Sequence, residues 1–331
     1  IIHCNDWQSA LVSTYIKTGN WSDFRYYKIK NIYTIHNVEY QGVYGMENLK
    51  DLFGIDNRFK NDMEYNSDIN LTKAAIQFSD KFTTVSESYC DNLKQPYCSK
   101  GLNHIIVRNE YKLSGIINGI DYDFYNPKTD KVIYKNYDEN TLDDKVFNKK
   151  IWQDELGLPV DATTPMLAVV SRLVSHKGMD LLTKVLEDLL SKDIQLVVVG
   201  TGEQRYVDYF KYLESKYPTK VRALVDKYSN ENARKAYAAS DIFLMPSKVE
   251  PCGISQMIAS RYGSVPVVRE VGGLKDSIKD FGCENGGNGY TFASYNPNDL
   301  KNQILRAIDD YHDTPNWKKK MYTVMTTDFT W

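Results

Sequence analysis

Between Pro246 and Gln256 the chain reads Pro-Ser-Lys-Val-Glu-Pro-Cys-Gly-Ile-Ser-Gln. The run Asp-Ile-Phe-Leu-Met at 241–245 has the unbroken apolar character of a buried parallel strand, and 254–261 can continue as a helix. Glu250 therefore falls on a strand-to-helix loop, and Gly253 falls where the helix is expected to begin. In an open α/β sheet, ligands bind outside the carboxyl ends of the strands. A helix start offers unpaired N–H groups and a positive dipole end to an anion. An acidic side chain beside such a start suits a ligand with both hydroxyls and phosphates. The loop alone reads equally well as an ordinary turn with an acidic helix N-terminus.

A second cluster follows the expected strand 166–170, in Ser-Arg-Leu-Val-Ser-His-Lys-Gly at 171–178. Arg172 and Lys177, on one strand-to-helix turn, can converge on a diphosphate, Arg as a planar fork and Lys as a point charge. Two cations alone also read as a solvated basic turn. Gly200 and Gly202 end the next strand and would let backbone approach a ligand, although no G-x-G-x-x-G is present. Arg172, Lys177, Gly202 and Glu250 should share one sheet edge, and Asp6, His36 and Asn118 are expected at the same kind of position in the first half of the chain. Cations on one wall and Asp, His and Asn on the other suit a sugar joined to a diphosphate. His3 and Cys4 match no metal-site spacing, so no metal is expected. Cys252 lacks an identifiable histidine and acid partner, which favours a packing or backbone role over a nucleophile.

The elements behind these residues alternate. Asp6 is placed to cap a helix over 9–17; strands are expected over 30–35, 81–85 and 114–117, and helices over 69–78 and from Ser86. In the second half, strands over 166–170, 194–200, 221–225, 242–245 and 265–268 alternate with helices starting near Lys177, Glu203, Asn230, Gly253 and Gly272. This is the pattern of parallel sheets covered by helices. The expected organisation is two facing Rossmann-like domains: an N-terminal one over 1–125, cut short at its start, and a C-terminal one over 161–331. The polar stretch between them, 126–160, reads as an exposed crossing and entry segment rather than core. A net charge of −2 argues against a nucleic-acid footprint. Five cysteines without a C-x-x-C pair point to reduced thiols in a cytoplasmic compartment. No apolar run is long enough to span a bilayer, so no membrane partner is expected.

Taken together, the motifs resemble those of bacterial-type glycogen (starch) synthases, retaining glucosyltransferases of the GT-B fold. They are Asp6-Trp7, Thr34-Ile-His-Asn-Val-Glu-Tyr-Gln-Gly42, Thr84-Val-Ser86, Asn118-Gly-Ile-Asp121, Val170-Ser-Arg-Leu173 with His176-Lys-Gly178, the Pro246–Gln256 loop, Tyr262-Gly263 and Gly272-Gly-Leu-Lys-Asp276. They span nearly the whole chain in family order. The resemblance implies ADP-glucose as donor and the non-reducing end of an α-1,4-glucan as acceptor, with no cofactor or metal. It implies that Arg172 and Lys177 hold the departing phosphate, and that Gly253, Ile254 and Ser255 contact the diphosphate and donor sugar. Glu250, Cys252, His36 and Asn118 would touch the glucose, Asp6 would stand near the reacting sugar, and Tyr228 would pack on the base.

Certain positions depart from the family. Ile258 stands eight residues after Glu250, so the E-x7-E pair of many retaining GT-B enzymes is absent, which favours the glycogen synthase branch. Asn5 and Gln8 replace histidines common beside Asp-Trp, and Ser67 and Ala75 stand where glycines are usual. The family's Lys-x-Gly-Gly-Leu loop would precede Ile1 and its final helix would follow Trp331. The sequence therefore reads as a fragment expected to be inactive alone. The alternatives are another GT-B enzyme using UDP-glucose and a non-catalytic glucan-binding fragment.

Overall fold

The computed structural model describes residues 1–18, 26–284 and 286–331. They form two compact units, Ile1–Ile117 and Asn118–Trp331. In the first, the strands are β1 (Ile2–Asn5), β2 (Asn31–Ile35), β3 (Val43–Gly45), β4 (Glu64–Tyr65), β5 (Asp68–Asn70), β6 (Lys81–Thr84) and β7 (Leu113–Gly115). A parallel sheet runs β1-β2-β6-β7, with Asn5 opposite Thr34 and Ile35 opposite Thr84. The helices Asp6–Thr18 and Leu71–Phe78 pack together, burying Ala10, Ala74, Ala75 and Ile76. Asn70 caps the second of these by accepting from the Lys73 N–H. A small antiparallel sheet, β3-β5-β4, was not foreseen; two- and three-residue strands leave no periodicity to read. Its β4–β5 turn places Ser67 at φ +70°, the conformation in which a glycine is at ease.

In the second unit the strands are β8 (Met166–Val170), β9 (Gln195–Val199), β10 (Val221–Leu224), β11 (Ile242–Met245), β12 (Val265–Arg269) and β13 (Tyr290–Phe292). They form one parallel sheet ordered β10-β9-β8-β11-β12-β13. Numbered from its own first strand this is 3-2-1-4-5-6, the Rossmann order, which reverses direction between β8 and β11 and opens a crevice there. β8, β9 and β11 are buried along their full length, as a sheet covered on both faces requires. Helix Met179–Leu189 lays Leu181, Leu182, Val185, Leu186 and Leu189 into the core at helical spacing. Truncating one such leucine to alanine costs about 2–5 kcal/mol.

The stretch 126–160 differs from expectation. Helix Leu142–Glu155 within it buries Lys145, Asn148, Lys149, Trp152 and Gln153, an inward stripe at helical spacing made almost wholly of polar residues. The heads of the two lysines, Asn148 and Gln153 are satisfied, whereas the Trp152 indole N–H has no hydrogen-bond partner among the described residues. Lys145 donates to the Tyr237 and Ala238 carbonyls, and Lys149 to Asp241, the Ala162 carbonyl and the Tyr311 hydroxyl. Gln153 bonds Gln195 and the Asp161 backbone, while Asn148 accepts from the Tyr134 and Lys135 N–H groups. Apolar Phe147 and Ile151 face outward. Residues 118–125, expected with the first domain, also pack in the second unit, where the Ile120 N–H bonds the Phe329 carbonyl.

Candidate functional site

The crevice between β8 and β11 gathers the residues that sequence spacing had placed on one edge. After β8 the chain makes a short 3-10 turn, Ser175–Lys177, which Gly178 closes in the left-handed region at φ +82°. A Cβ on Gly178 would stand 2.1 Å from the Pro246 carbonyl oxygen, so only glycine lets the two loops touch. The Lys248 N–H then donates to the His176 carbonyl. This contact brings Lys177 Nζ to 2.5 Å from Glu250 Oε2, with 16% of the lysine side chain and 6% of the glutamate side chain exposed. From the other side, Gly272 and Gly273 press on the backbone of 250–252, and the Gly273 N–H donates to the Glu250 carbonyl.

Arg172 is exposed, and among the described residues its guanidinium has no partner. It lines a cavity of about 290 Å³ with Val170, Ser171, Thr201, Tyr228, Tyr237 and Ser255. Tyr228 and Ser255 also border an adjoining cavity of about 240 Å³ that contains Phe124, Tyr125 and Ile254. The helix after the loop begins at Ser255, two residues later than expected, and no side chain caps it. Its first N–H groups therefore lack intrahelical partners. Gly253 takes φ +73° just ahead of it, and Ser255 hydrogen-bonds the buried Tyr237 hydroxyl. A free cation, a paired cation, an uncapped helix start and a half-exposed tyrosine thus adjoin one carboxylate.

Two of the expected residues have a different setting from that anticipated. Gly202 pairs with Leu173 in a parallel bridge, and a Cβ there would meet the Leu173 oxygen at 2.2 Å. The close approach that needs a glycine is therefore to the chain's own backbone. Asn118, expected on the first domain, lies in the second unit, where its backbone hydrogen-bonds the Cys252 thiol. Burial pushes that thiol up to about 11, with the Asn118 bond pulling partly against it. Cys252 is thus a protonated packing group and a poor nucleophile.

In the first unit, Asp6 and His36 follow the ends of the adjacent strands β1 and β2. Asp6 does not cap its helix as expected. The helix begins at Asp6 itself, whose backbone stands at φ +55°. Its Oδ1 reaches to the neighbouring strand end and accepts the His36 N–H at 2.8 Å. The His36 ring donates from Nε2 to Asn5 Oδ1 at 2.9 Å, which leaves Nδ1 as the acceptor nitrogen. The ring of His3 bonds Thr34 Oγ1. Among the described residues no group of three or more His, Cys, Asp or Glu side chains is arranged to hold a metal ion.

Sequence reasoning missed Ser247, whose hydroxyl donates to Glu250 Oε2 at 3.1 Å, and Arg269, which donates to the Ser247 and Lys248 carbonyls. A lone serine or arginine after a strand carries no signal of this kind. Gly178 was legible as the end of the His-Lys-Gly turn.

Known proteins resemble this chain along its whole length. Residues 1–108 match the family model described as the starch synthase catalytic domain, and residues 151–324 match glycosyl transferases group 1. The chain is 45% identical to the glycogen synthase of Clostridium botulinum and 46% identical to that of Clostridium acetobutylicum, in each case over 100% of this chain and 70% of the relative. The catalytic domain of starch synthase IV from Arabidopsis thaliana, solved bound to ADP and acarbose, superposes with a TM-score of 0.91 at 33% identity, covering 100% of this chain and 69% of that one. Sucrose-phosphate synthase from Thermosynechococcus elongatus, at a TM-score of 0.63 and 18% identity over 100% of this chain and 69% of that one, shares the fold alone. The fold is GT-B and the protein is a glycosyltransferase. The chain belongs to the glycogen synthase family.

Proposed function

We propose that the protein transfers glucose from ADP-glucose to the non-reducing end of an α-1,4-glucan, with retention of configuration. The observation that carries this reading is the Lys177–Glu250 pair at the switch point of the second sheet, together with Arg172, which has no partner among the described residues. Glycosyl transfer passes through an oxocarbenium-like transition state, with positive charge on the sugar and negative charge growing on the leaving phosphate. Arg172 and Lys177 stabilise that phosphate, and donors aimed at developing charge in a water-poor site are worth several kcal/mol. We assign this neutralisation to the two cations rather than to a metal ion. The bound phosphate replaces Glu250 as the counter-ion of Lys177, and the carboxylate keeps the hydrogen bond from Ser247. Glu250 then serves a glucose hydroxyl.

The N–H groups at the start of the helix from Ser255 face the diphosphate, and Tyr228 stacks on the base. His36, with Nε2 held by Asn5, offers Nδ1 to a sugar hydroxyl, and Asp6, Asn118 and Cys252 border the glucose by family resemblance. The ADP bound to the Arabidopsis relative supports adenine as the base. No helix among the described residues is long and apolar enough to cross a membrane, and we place the reaction in the cytoplasm.

The test supplies ADP-glucose or UDP-glucose with glycogen and follows transfer of labelled glucose. Faster transfer from ADP-glucose, onto chains that β-amylase then shortens, is the expected result. Preference for UDP-glucose, or binding of glycogen without transfer, would replace this reading with another GT-B activity or a glucan-binding role.

A further inference from the structure

We infer that Ser247 is a positioning residue for the transfer, holding Glu250 on the glucose after Lys177 has turned to the phosphate. The inference rests on the proposed role of Glu250. Both protein contacts of the carboxylate fall on one oxygen: Oε2 accepts from Lys177 Nζ at 2.5 Å and from the Ser247 hydroxyl at 3.1 Å. The other oxygen, Oε1, has no protein partner among the described residues and is the one left for a sugar hydroxyl. A lysine whose ammonium turns to the leaving phosphate loosens its hold on the carboxylate. Once its ammonium moves, the serine hydroxyl is the remaining side-chain hold on Glu250.

Ser247 is built for that task. It is fully buried, so water does not compete for its hydroxyl. Its main chain is fixed on two sides: Arg269 Nη1 donates to the Ser247 and Lys248 carbonyls at 3.2 and 2.7 Å, and the Lys248 N–H donates to the His176 carbonyl at 2.8 Å. The serine therefore stays in place while the lysine side chain exchanges partners. A hydrogen bond to an ionised group is among the stronger ones, and aim at the reacting sugar is needed in the transition state more than in donor binding.

The experiment measures glucose transfer from ADP-glucose to glycogen by the full-length gene product carrying Ser247→Ala, Ser247→Thr, Glu250→Ala, or Ser247→Ala with Glu250→Ala. ADP affinity and thermal melting are measured alongside. The expected result is a fall of roughly tenfold in kcat for Ser247→Ala, with the KM for ADP-glucose changed less than about twofold and ADP affinity retained. Ser247→Thr, which keeps the hydroxyl, recovers most of the rate. In the Glu250→Ala background the serine change causes no further loss, because nothing remains to be aimed. Wild-type turnover by Ser247→Ala, the same fractional loss with and without Glu250, or a Ser247→Ala protein that does not fold would each overturn the inference. A wild-type full-length gene product that does not use ADP-glucose would instead overturn the proposed function.

Discussion

Two carboxylates at the ends of parallel strands, Glu250 in the second unit and Asp6 in the first, divide their oxygens in the same way. Each spends one oxygen on the protein and keeps the other without a protein partner among the described residues. The difference lies in what holds the spent oxygen. For Glu250 it is chiefly the ammonium of Lys177, a side chain that under the proposed function leaves for a phosphate. For Asp6 it is the backbone N–H of His36, which cannot leave without moving a strand end. One carboxylate sits in an exchangeable ion pair and the other in a fixed frame. Residues of one type at one kind of position can thus be held by a movable side chain in one unit and by fixed backbone in the other.

The largest expected effect comes from breaking the exchangeable pair. Glu250→Ala should reduce transfer by roughly 100- to 1000-fold, the scale on which a preorganised electrostatic contact is lost, measured as kcat with ADP-glucose and glycogen. Asp6→Ala should reduce transfer to a similar order and should also destabilise the fold. The His36 N–H then loses its acceptor at a cost of about 1–3 kcal/mol, readable as a lower urea midpoint. Glu250→Ala also strips Lys177 of its counter-ion, so ADP should restore its melting temperature more than that of Asp6→Ala; equal rescue would erase the distinction between them.

A smaller effect sharpens the contrast between lysines. Lys177 has a carboxylate in contact, whereas buried Lys145 donates to two backbone carbonyls. Burial lowers Lys145 to about 7, partly offset by the charge of Asp241. The unfolded chain holds this proton up to its ordinary value of about 10.5. Between pH 7 and 10 the unfolded state therefore binds more protons, and this group makes stability rise with pH. Lys145→Met should flatten that rise in a series of melting temperatures from pH 6.5 to 9.5; an unchanged slope would show the lysine to be charged throughout. The smallest effect concerns the two strained backbones. Asp6 and Ser67 both have positive φ, but only Asp6 is among the residues proposed for the site. Ser67→Gly should stabilise by about 1 kcal/mol with transfer unchanged, shifting the melting temperature upward by a few degrees.

The second sheet was legible because β8, β9 and β11 are uninterrupted apolar runs. Their ends fixed Arg172, Lys177 and Glu250 on one edge without any knowledge of side-chain direction. Helix 142–155 was illegible for the converse reason. Its inward stripe is Lys145, Asn148, Lys149 and Gln153, which are soluble-looking in sequence and acceptable in the core only because distant carbonyls and Asp241 meet them. Asn118 was expected on the first domain because strand-end logic follows the chain, whereas it lies in the second unit, where its backbone hydrogen-bonds Cys252. The Ser247–Glu250 bond depends on side-chain rotamers, which no spacing records.

The central claim is that Lys177 belongs to Glu250 in the empty site and to the phosphate in the occupied one. It is tested most directly by titrating ADP calorimetrically into the wild-type chain, Lys177→Ala and Glu250→Ala. The account predicts that Lys177→Ala weakens ADP binding by roughly tenfold or more, the worth of a charge-assisted contact. It predicts that Glu250→Ala binds ADP at least as tightly as wild type, because the competitor for the ammonium has been removed. Equal ADP affinities for the wild type and Lys177→Ala, or a loss in Glu250→Ala matching that in Lys177→Ala, would contradict it.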